Sequence, residues 1–182
     1  MRGKITSVFK LYQITMDTLL QKKIVFTHGV FDVPHIGHPR YLKAAKEKGE
    51  ILIVGVHSDG LVRERKGEDR PIYSLEERME FLSYYSFVDF VVELKDQEEV
   101  HYAITLLKPD ILVVSSTTTD YDNKPETMKV LFSKYVKDII VLGPQSARHS
   151  TDVIEIMSQG NNEAEEIKMI EDEESNILSK VL

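Results

Sequence analysis

The chain has 182 residues, 42% of them hydrophobic, which suffices for one domain with a sizeable core and is short for two. It contains no cysteine, so disulfides, thiol nucleophiles and cysteine-held metals are excluded together, in keeping with a reducing compartment. The formal charge of −7 is unevenly spread: from residue 162 onward seven acids face two lysines, which leaves only −2 for residues 1–161. No long basic stripe with interleaved aromatics occurs, which argues against nucleic-acid binding. No membrane-length apolar run or signal-peptide core is evident, and the expectation is a cytoplasmic protein without a membrane span.

In chain order, residues 1–22 read as an N-terminal arm or helix on a sheet edge, with Leu11, Ile14, Met16, Leu19 and Leu20 as its apolar positions. Short apolar runs then recur at 24–27, 51–56, 90–93, 111–114 and 139–142. Between them, 41–48, 75–84, 98–107 and 126–135 show apolar residues at helical spacing. This alternation predicts an α/β fold, a Rossmann-like parallel sheet flanked by helices, within a domain over 23–160. Residues 161–182 form an acidic tail, read either as a helix that docks on a neighbouring subunit through Ile167, Ile170, Ile177 and Leu178 or as a frayed terminus.

The most informative stretch is Thr27-His28-Gly29-Val30-Phe31-Asp32-Val33-Pro34-His35-Ile36-Gly37-His38. It follows the first apolar strand and opens a helix expected from Pro39 to Lys48. A strand-to-helix turn of this kind binds phosphate at the helix N-terminus. His35 and His38 share a face at i, i+3, and Gly37 removes a Cβ that would hold a phosphate off the backbone. Two surface histidines near a helix start is the bland alternative, and a zinc site built from His28, His35, His38 and a carboxylate is a third.

The pattern Gly29-x-Phe31-Asp32-x-x-His35-x-Gly37-His38 resembles the signature of the cytidylyltransferase-like nucleotidyltransferases, whose fold is a Rossmann-like α/β sheet. The likeness extends through Tyr41-Leu42, Ala44-Ala45, Val56-His57-Ser58-Asp59, Lys66-Gly67, Arg70-Pro71-Ile72, Glu77-Arg78, Val88-Asp89, Pro109-Asp110 and Ser150-Thr151. Within that superfamily it is most similar to the adenylyltransferase domain of heptose-phosphate enzymes, then to glycerol-3-phosphate cytidylyltransferases.

The resemblance implies transfer of a nucleoside monophosphate from ATP or CTP to a phosphorylated small molecule, with Mg²⁺ accompanying the triphosphate and a homodimer as the assembly. Adenylyl transfer to a sugar phosphate is the first expectation, and cytidylyl transfer to glycerol 3-phosphate or a similar polyol phosphate the second. His35, His38 and Lys66 take the catalytic roles. Thr27, His28, Gly29, Phe31, Gly37, Asp120, Arg148, Ser150 and Thr151 are assigned to the nucleotide. Asp32, His57, Asp59, Arg70 and Arg78 are assigned to the acceptor side, Asp32 also as a helper to Mg²⁺, and no protein-held metal site is expected.

Several of these residues have structural readings as well. Lys66 lies in a charged run, 63–70, read as a loop shaped by Gly67 and Pro71. Arg78 can serve as a surface ion-pair partner, and Ser58 or Asp59 as a helix N-cap. Two departures from the family pattern stand out. Gln145 to Thr151 lacks the arginine that leads the cytidylyltransferase motif. The hydroxyl-rich run 115–119 replaces the glycines that precede Asp-Tyr in the heptose-phosphate relatives, leaving only Asp120-Tyr121. A regulatory subunit that keeps the fold without turnover, and a zinc hydrolase, are the rival classes.

Overall fold

The computed structural model describes residues 4–15, 21–117, 124–146, 154 and 156. Contacts divide the chain into a unit over 1–147 and a second over 148–182. In the first unit the strands are β1 (Ile5–Thr6), β2 (Ile24–Gly29), β3 (Ile51–His57), β4 (Phe90–Leu94), β5 (Ile111–Ser115) and β6 (Asp138–Leu142). The helices are α1 (Val8–Ile14), α2 (Gly37–Lys46), α3 (Asp59–Lys66), α4 (Leu75–Ser83), α5 (Gln97–Leu107) and α6 (Pro125–Phe132). All strand pairs are parallel and run in the order β1-β4-β3-β2-β5-β6. The expected Rossmann-like sheet is therefore present.

The sheet has a core on each face, as its nearly continuous apolar strands require. On one side Phe26, Ile53, Val92 and Leu112 pack with Leu11 of α1, Ile104 of α5 and Met128 of α6. On the other, Val25, Leu52, Val54 and Val91 pack with Leu42 of α2 and Met79 and Leu82 of α4. Polar stitches fix the register between elements. Asp110 accepts from the backbone N–H of Ile24 at 2.7 Å and pairs with Lys137 at 2.6 Å, tying the starts of β2, β5 and β6 together.

Three elements depart from the sequence reading. The N-terminal segment contributes a two-residue edge strand, β1, beside β4, ahead of the helix α1. The run 63–70 is not a loop throughout: its first half is the last turn of α3, which buries Leu61 and Val62 and ends at Gly67 with φ 95°. α2 also begins earlier than Pro39, at Gly37.

The decisive feature for a ligand is where the strand order reverses. From β2 the chain moves outward through β3 and β4, then returns to place β5 on the other side of β2. β2 pairs with β3 as far as Gly29, yet with β5 only at Val25 and Phe26. The carboxyl halves of β2 and β5 thus diverge and leave a crevice, the position at which open parallel sheets bind ligands.

Candidate active site

The turn after β2 is held in an unusual backbone conformation. Phe31 and Val33 have φ of 54° and 44°, a left-handed region that is costly for any side chain and most so for a branched one. Between them Asp32 is buried, and its carboxylate accepts from the backbone N–H groups of Ile72 and Tyr73, each at 3.0 Å, and from Arg70 Nε at 3.0 Å. Burial raises the carboxyl's pKa, but these hydrogen bonds outweigh it and hold it below the ordinary value. Asp32 therefore anchors the loop after α3 to the turn. Its oxygens are committed to that loop, which does not fit the role of a magnesium ligand.

His35 and His38 come together at the start of α2, ring centroids 4.0 Å apart. The backbone N–H of Gly37 donates to His35 Nδ1 at 3.1 Å. That ring nitrogen is then an acceptor, so the neutral imidazole carries its proton on Nε2 and is a donor there. The edge of Phe31 packs on His38 at 5.6 Å between centroids. Burial, then repulsion from His35, pushes the His38 ring down to about 3; Asp32 opposes this and Lys66 adds to it. His38 is consequently neutral at working pH.

Gly37 acts differently from the sequence reading. A Cβ there would lie 2.6 Å from His35 Cε1 and 3.0 Å from Ser146 Cβ. The missing side chain makes room for the imidazole, not for a phosphate against the backbone. The backbone donors at this helix start are also spent: Gly37 N–H on His35 Nδ1, His38 N–H on the His35 carbonyl at 3.0 Å, Arg40 N–H on the Ile36 carbonyl, while Pro39 has none. Side chains and the helix dipole are left to meet an anion at this helix start.

The remaining assigned residues divide into those at the crevice and those beneath it. Thr27 is buried, and its hydroxyl meets Tyr41 Oη at 2.8 Å; the same phenol donates to the Val113 carbonyl at 3.3 Å. Tyr41, which sequence reasoning quoted but gave no role, thus spans the gap between β2 and β5. Gly29 ends β2, and His28 beside it meets His57 at the end of β3, Nδ1 to Nε2, at 3.0 Å. Lys66 closes α3, near enough for its charge to bear on both His38 and His57.

Arg78 is only 2% exposed and lies beneath the site. Its guanidinium donates to the Val30 carbonyl, the Tyr73 carbonyl and Asp59 Oδ1 at 2.6, 3.0 and 2.6 Å. The structure thus gives Arg78 and Asp59 to each other, as a brace joining α3, α4 and the turn. Ser58 is the N-cap of α3, accepting from Leu61 N–H at 3.2 Å. Beside the turn a cavity of about 410 Å³ is lined by Phe31, Pro34, Tyr73, Glu80, Phe81 and Tyr84, among others. Asp120, Arg148, Ser150 and Thr151 lie outside the described residues. Among the described residues no group of three or more His, Cys, Asp or Glu can hold a metal ion, and no helix is long and apolar enough to cross a membrane.

The sequence matches the cytidylyltransferase-like family over residues 26–175, a span that contains the turn and the whole crevice. The chain belongs to this family. The resemblance drawn from Gly29 to His38 is thereby borne out. The bifunctional protein HldE of Campylobacter concisus is 37% identical over 160 residues, covering 88% of this chain and 32% of that protein. HldE of Helicobacter pylori strain P12 is 39% identical over 148 residues, covering 81% and 30%. The chain spans about a third of the length of these curated relatives.

Among solved structures, a lipopolysaccharide core biosynthesis protein from Thermoplasma volcanium is 24% identical with a TM-score of 0.54, covering 68% of this chain and 96% of that one. A pantoate-beta-alanine ligase from Francisella tularensis is 16% identical with a TM-score of 0.59, covering 80% and 68%. At these identities the likeness is one of fold, in agreement with the sheet described above.

The site's electrostatics carry a stability consequence. Burial, then repulsion from His28 and the cations Arg65, Arg78 and Lys66, holds His57 well below its ordinary 6.5, as His38 is held by its own surroundings. As pH falls through about 6.5 the unfolded chain takes up protons at both rings while the folded protein refuses them, so stability rises with pH in that window and falls with acid. Asp32 acts lower, its contribution present above 3.8 and lost as pH drops through its folded value. The expected result is a Tm that declines from pH 7 to pH 5, with a shallower decline in His38→Asn. Identical slopes for the two proteins would contradict this assignment.

Proposed function

We propose that this chain transfers a nucleoside monophosphate, AMP by first preference, from its triphosphate to a sugar phosphate, releasing pyrophosphate. The observation that supports this reading is the imidazole pair at the strand-order reversal, with His35 fixed as an Nε2–H donor by Gly37 N–H. A phosphate monoester is already an anionic nucleophile at neutral pH, so its oxygen attacks the α-phosphorus without a protein base. The bond from that phosphorus to the bridging oxygen breaks, and pyrophosphate carries the electron pair away.

What the protein must supply is position and charge stabilisation. His35 and neutral His38 donate N–H groups to phosphate oxygens on which charge grows, and Lys66, at the charged C-terminal end of α3, adds a cation between the two substrates. The backbone of Thr27 to Gly29 lines the crevice on the side where β5 has parted from β2. Mg²⁺ would accompany the triphosphate and would supply charge neutralisation at its phosphates, with no residue of this chain assigned to hold it. The HldE relatives favour the adenylyl reading over the cytidylyl one, as does the absence of the leading arginine of the cytidylyltransferase motif at Gln145 to Thr151. A cytoplasmic setting, where nucleoside triphosphates are abundant, belongs to the same proposal.

The test is a pyrophosphate-release screen of four nucleoside triphosphates with magnesium, each with and without sugar and polyol phosphates. Release with ATP that depends on a sugar phosphate is the expected result. Release with CTP and glycerol 3-phosphate alone would give the second reading, and no release with any pair would return the protein to a nucleotide-binding role without turnover.

A further inference from the structure

His28 and His57 form a second imidazole pair, separate from His35 and His38, at the carboxyl ends of β2 and β3. Parallel register sets His28 opposite Gly55, two residues before His57 and on the same face of the sheet. Gly55 has no side chain to stand between them: a Cβ there would lie 3.1 Å from His28 Cβ and 2.5 Å from Leu94 Cδ1. The His28 ring therefore reaches over the glycine to His57, Nδ1 to Nε2, at 3.0 Å. His57 is 4% exposed, and its other nitrogen, Nδ1, is buried with no hydrogen-bond partner. His28 is only partly buried.

One proton lies between the two rings, and its owner decides what each ring presents elsewhere. If His28 donated, a neutral His57 would have to carry its own proton on the unpartnered Nδ1, leaving a buried N–H with nothing to receive it. If His57 donates from Nε2, its Nδ1 keeps a lone pair. Orphaned buried N–H groups are rarer than under-used acceptors. The charged groups that bear on His57 are Arg65 and Lys66 from α3 and Arg78 from α4, all cations. A positive surround favours a lone pair over an N–H at that nitrogen.

We propose that His57 is a positioning residue that fixes His28 with its proton on Nε2, so that His28 offers an N–H donor to an anionic oxygen of a bound phosphate at the carboxyl end of β2. The second half of this inference rests on the reading of the crevice as a phosphate-ester site. It adds a third imidazole donor beside His35 and His38, and it gives buried His57 a function that requires no contact with substrate.

The test uses the full chain labelled with ¹⁵N at histidine, in which long-range ¹H–¹⁵N correlations report which ring nitrogen bears the proton. The expected result is an unprotonated Nδ1 and protonated Nε2 for His28, with the same pattern for His57. Inorganic phosphate, used as the probe, should shift the His28 Nε2 resonance. In His57→Leu the phosphate dissociation constant should rise about tenfold, while His57→Gln, whose amide N–H can still donate to His28 Nδ1, should stay within about threefold of the original.

A proton on His28 Nδ1 would overturn the proposal from the unaltered protein alone, whether or not the variants fold. So would an absent response to phosphate, or unchanged affinity in His57→Leu. Failure of pyrophosphate release in the triphosphate screen would instead overturn the proposed reaction and leave the tautomer standing.

Discussion

Replacing His38 with alanine is expected to lower kcat for the proposed pyrophosphate release by about 10²–10³-fold, the effect typical of deleting one preorganised donor aimed at developing charge. The magnitude follows from how the ring is held. Phe31 packs against one side, His35 lies 4.0 Å away, and burial keeps the ring neutral with a value pushed down to about 3. A donor so fixed needs no reorganisation as charge moves toward the leaving pyrophosphate. The loss should fall on kcat more than on the KM of the triphosphate, because an interaction that strengthens in the transition state contributes little to ground-state binding. A His38→Ala enzyme with unaltered kcat and a raised KM would mean that the ring only binds nucleotide.

Gly37→Ala is expected to cost about 10²-fold in kcat/KM, although alanine adds only one methyl group and is a good helix former. The new Cβ would stand 2.6 Å from His35 Cε1 and 2.8 Å from its Nδ1, closer than nonbonded atoms permit. The His35 ring must swing away, and the hydrogen bond from Gly37 N–H that sets its tautomer goes with it. If His35 is the donor proposed, displacing it by about an ångström is enough for a loss of that size. Stability should change little, since Gly37 lies at the first position of α2 and the moved ring is not part of either apolar core. Rate measurements beside thermal melts separate the two effects. A large fall in Tm with activity per folded molecule preserved would contradict the steric account.

The parallel sheet was legible in the sequence because β2 to β5 are buried on both faces and so read as unbroken apolar runs. α3 was not legible in the same way: only Leu61 and Val62 of its residues are buried, and its second half is the charged run Arg63 to Lys66. Its best local sign was Ser58, an N-cap candidate that the structure employs as one. β1 has two residues and too little pattern to register.

At the site, the turn from Gly29 to His38 could be recognised from residue types and spacing, since its parts are contiguous in sequence. The contacts that define how each residue acts are not contiguous. Arg78 meets Val30 and Asp59, and Asp32 meets Arg70, Ile72 and Tyr73, through the folding of α3 and α4 back onto the turn. That folding converts two residues assigned to the acceptor side into a brace and an anchor. From its place in the turn Gly37 reads as room for a phosphate against the backbone, whereas the occupant of that room is the His35 ring, which only three dimensions reveal.

The decisive experiment is a structure of the protein with a nonhydrolysable ATP analogue and magnesium. The β- and γ-phosphate oxygens should lie within hydrogen-bonding distance of His35 Nε2 and His38, with the nucleoside running into the crevice where β2 and β5 part. Phosphates bound away from both rings, with the pair left untouched by nucleotide, would contradict the role proposed for the pair.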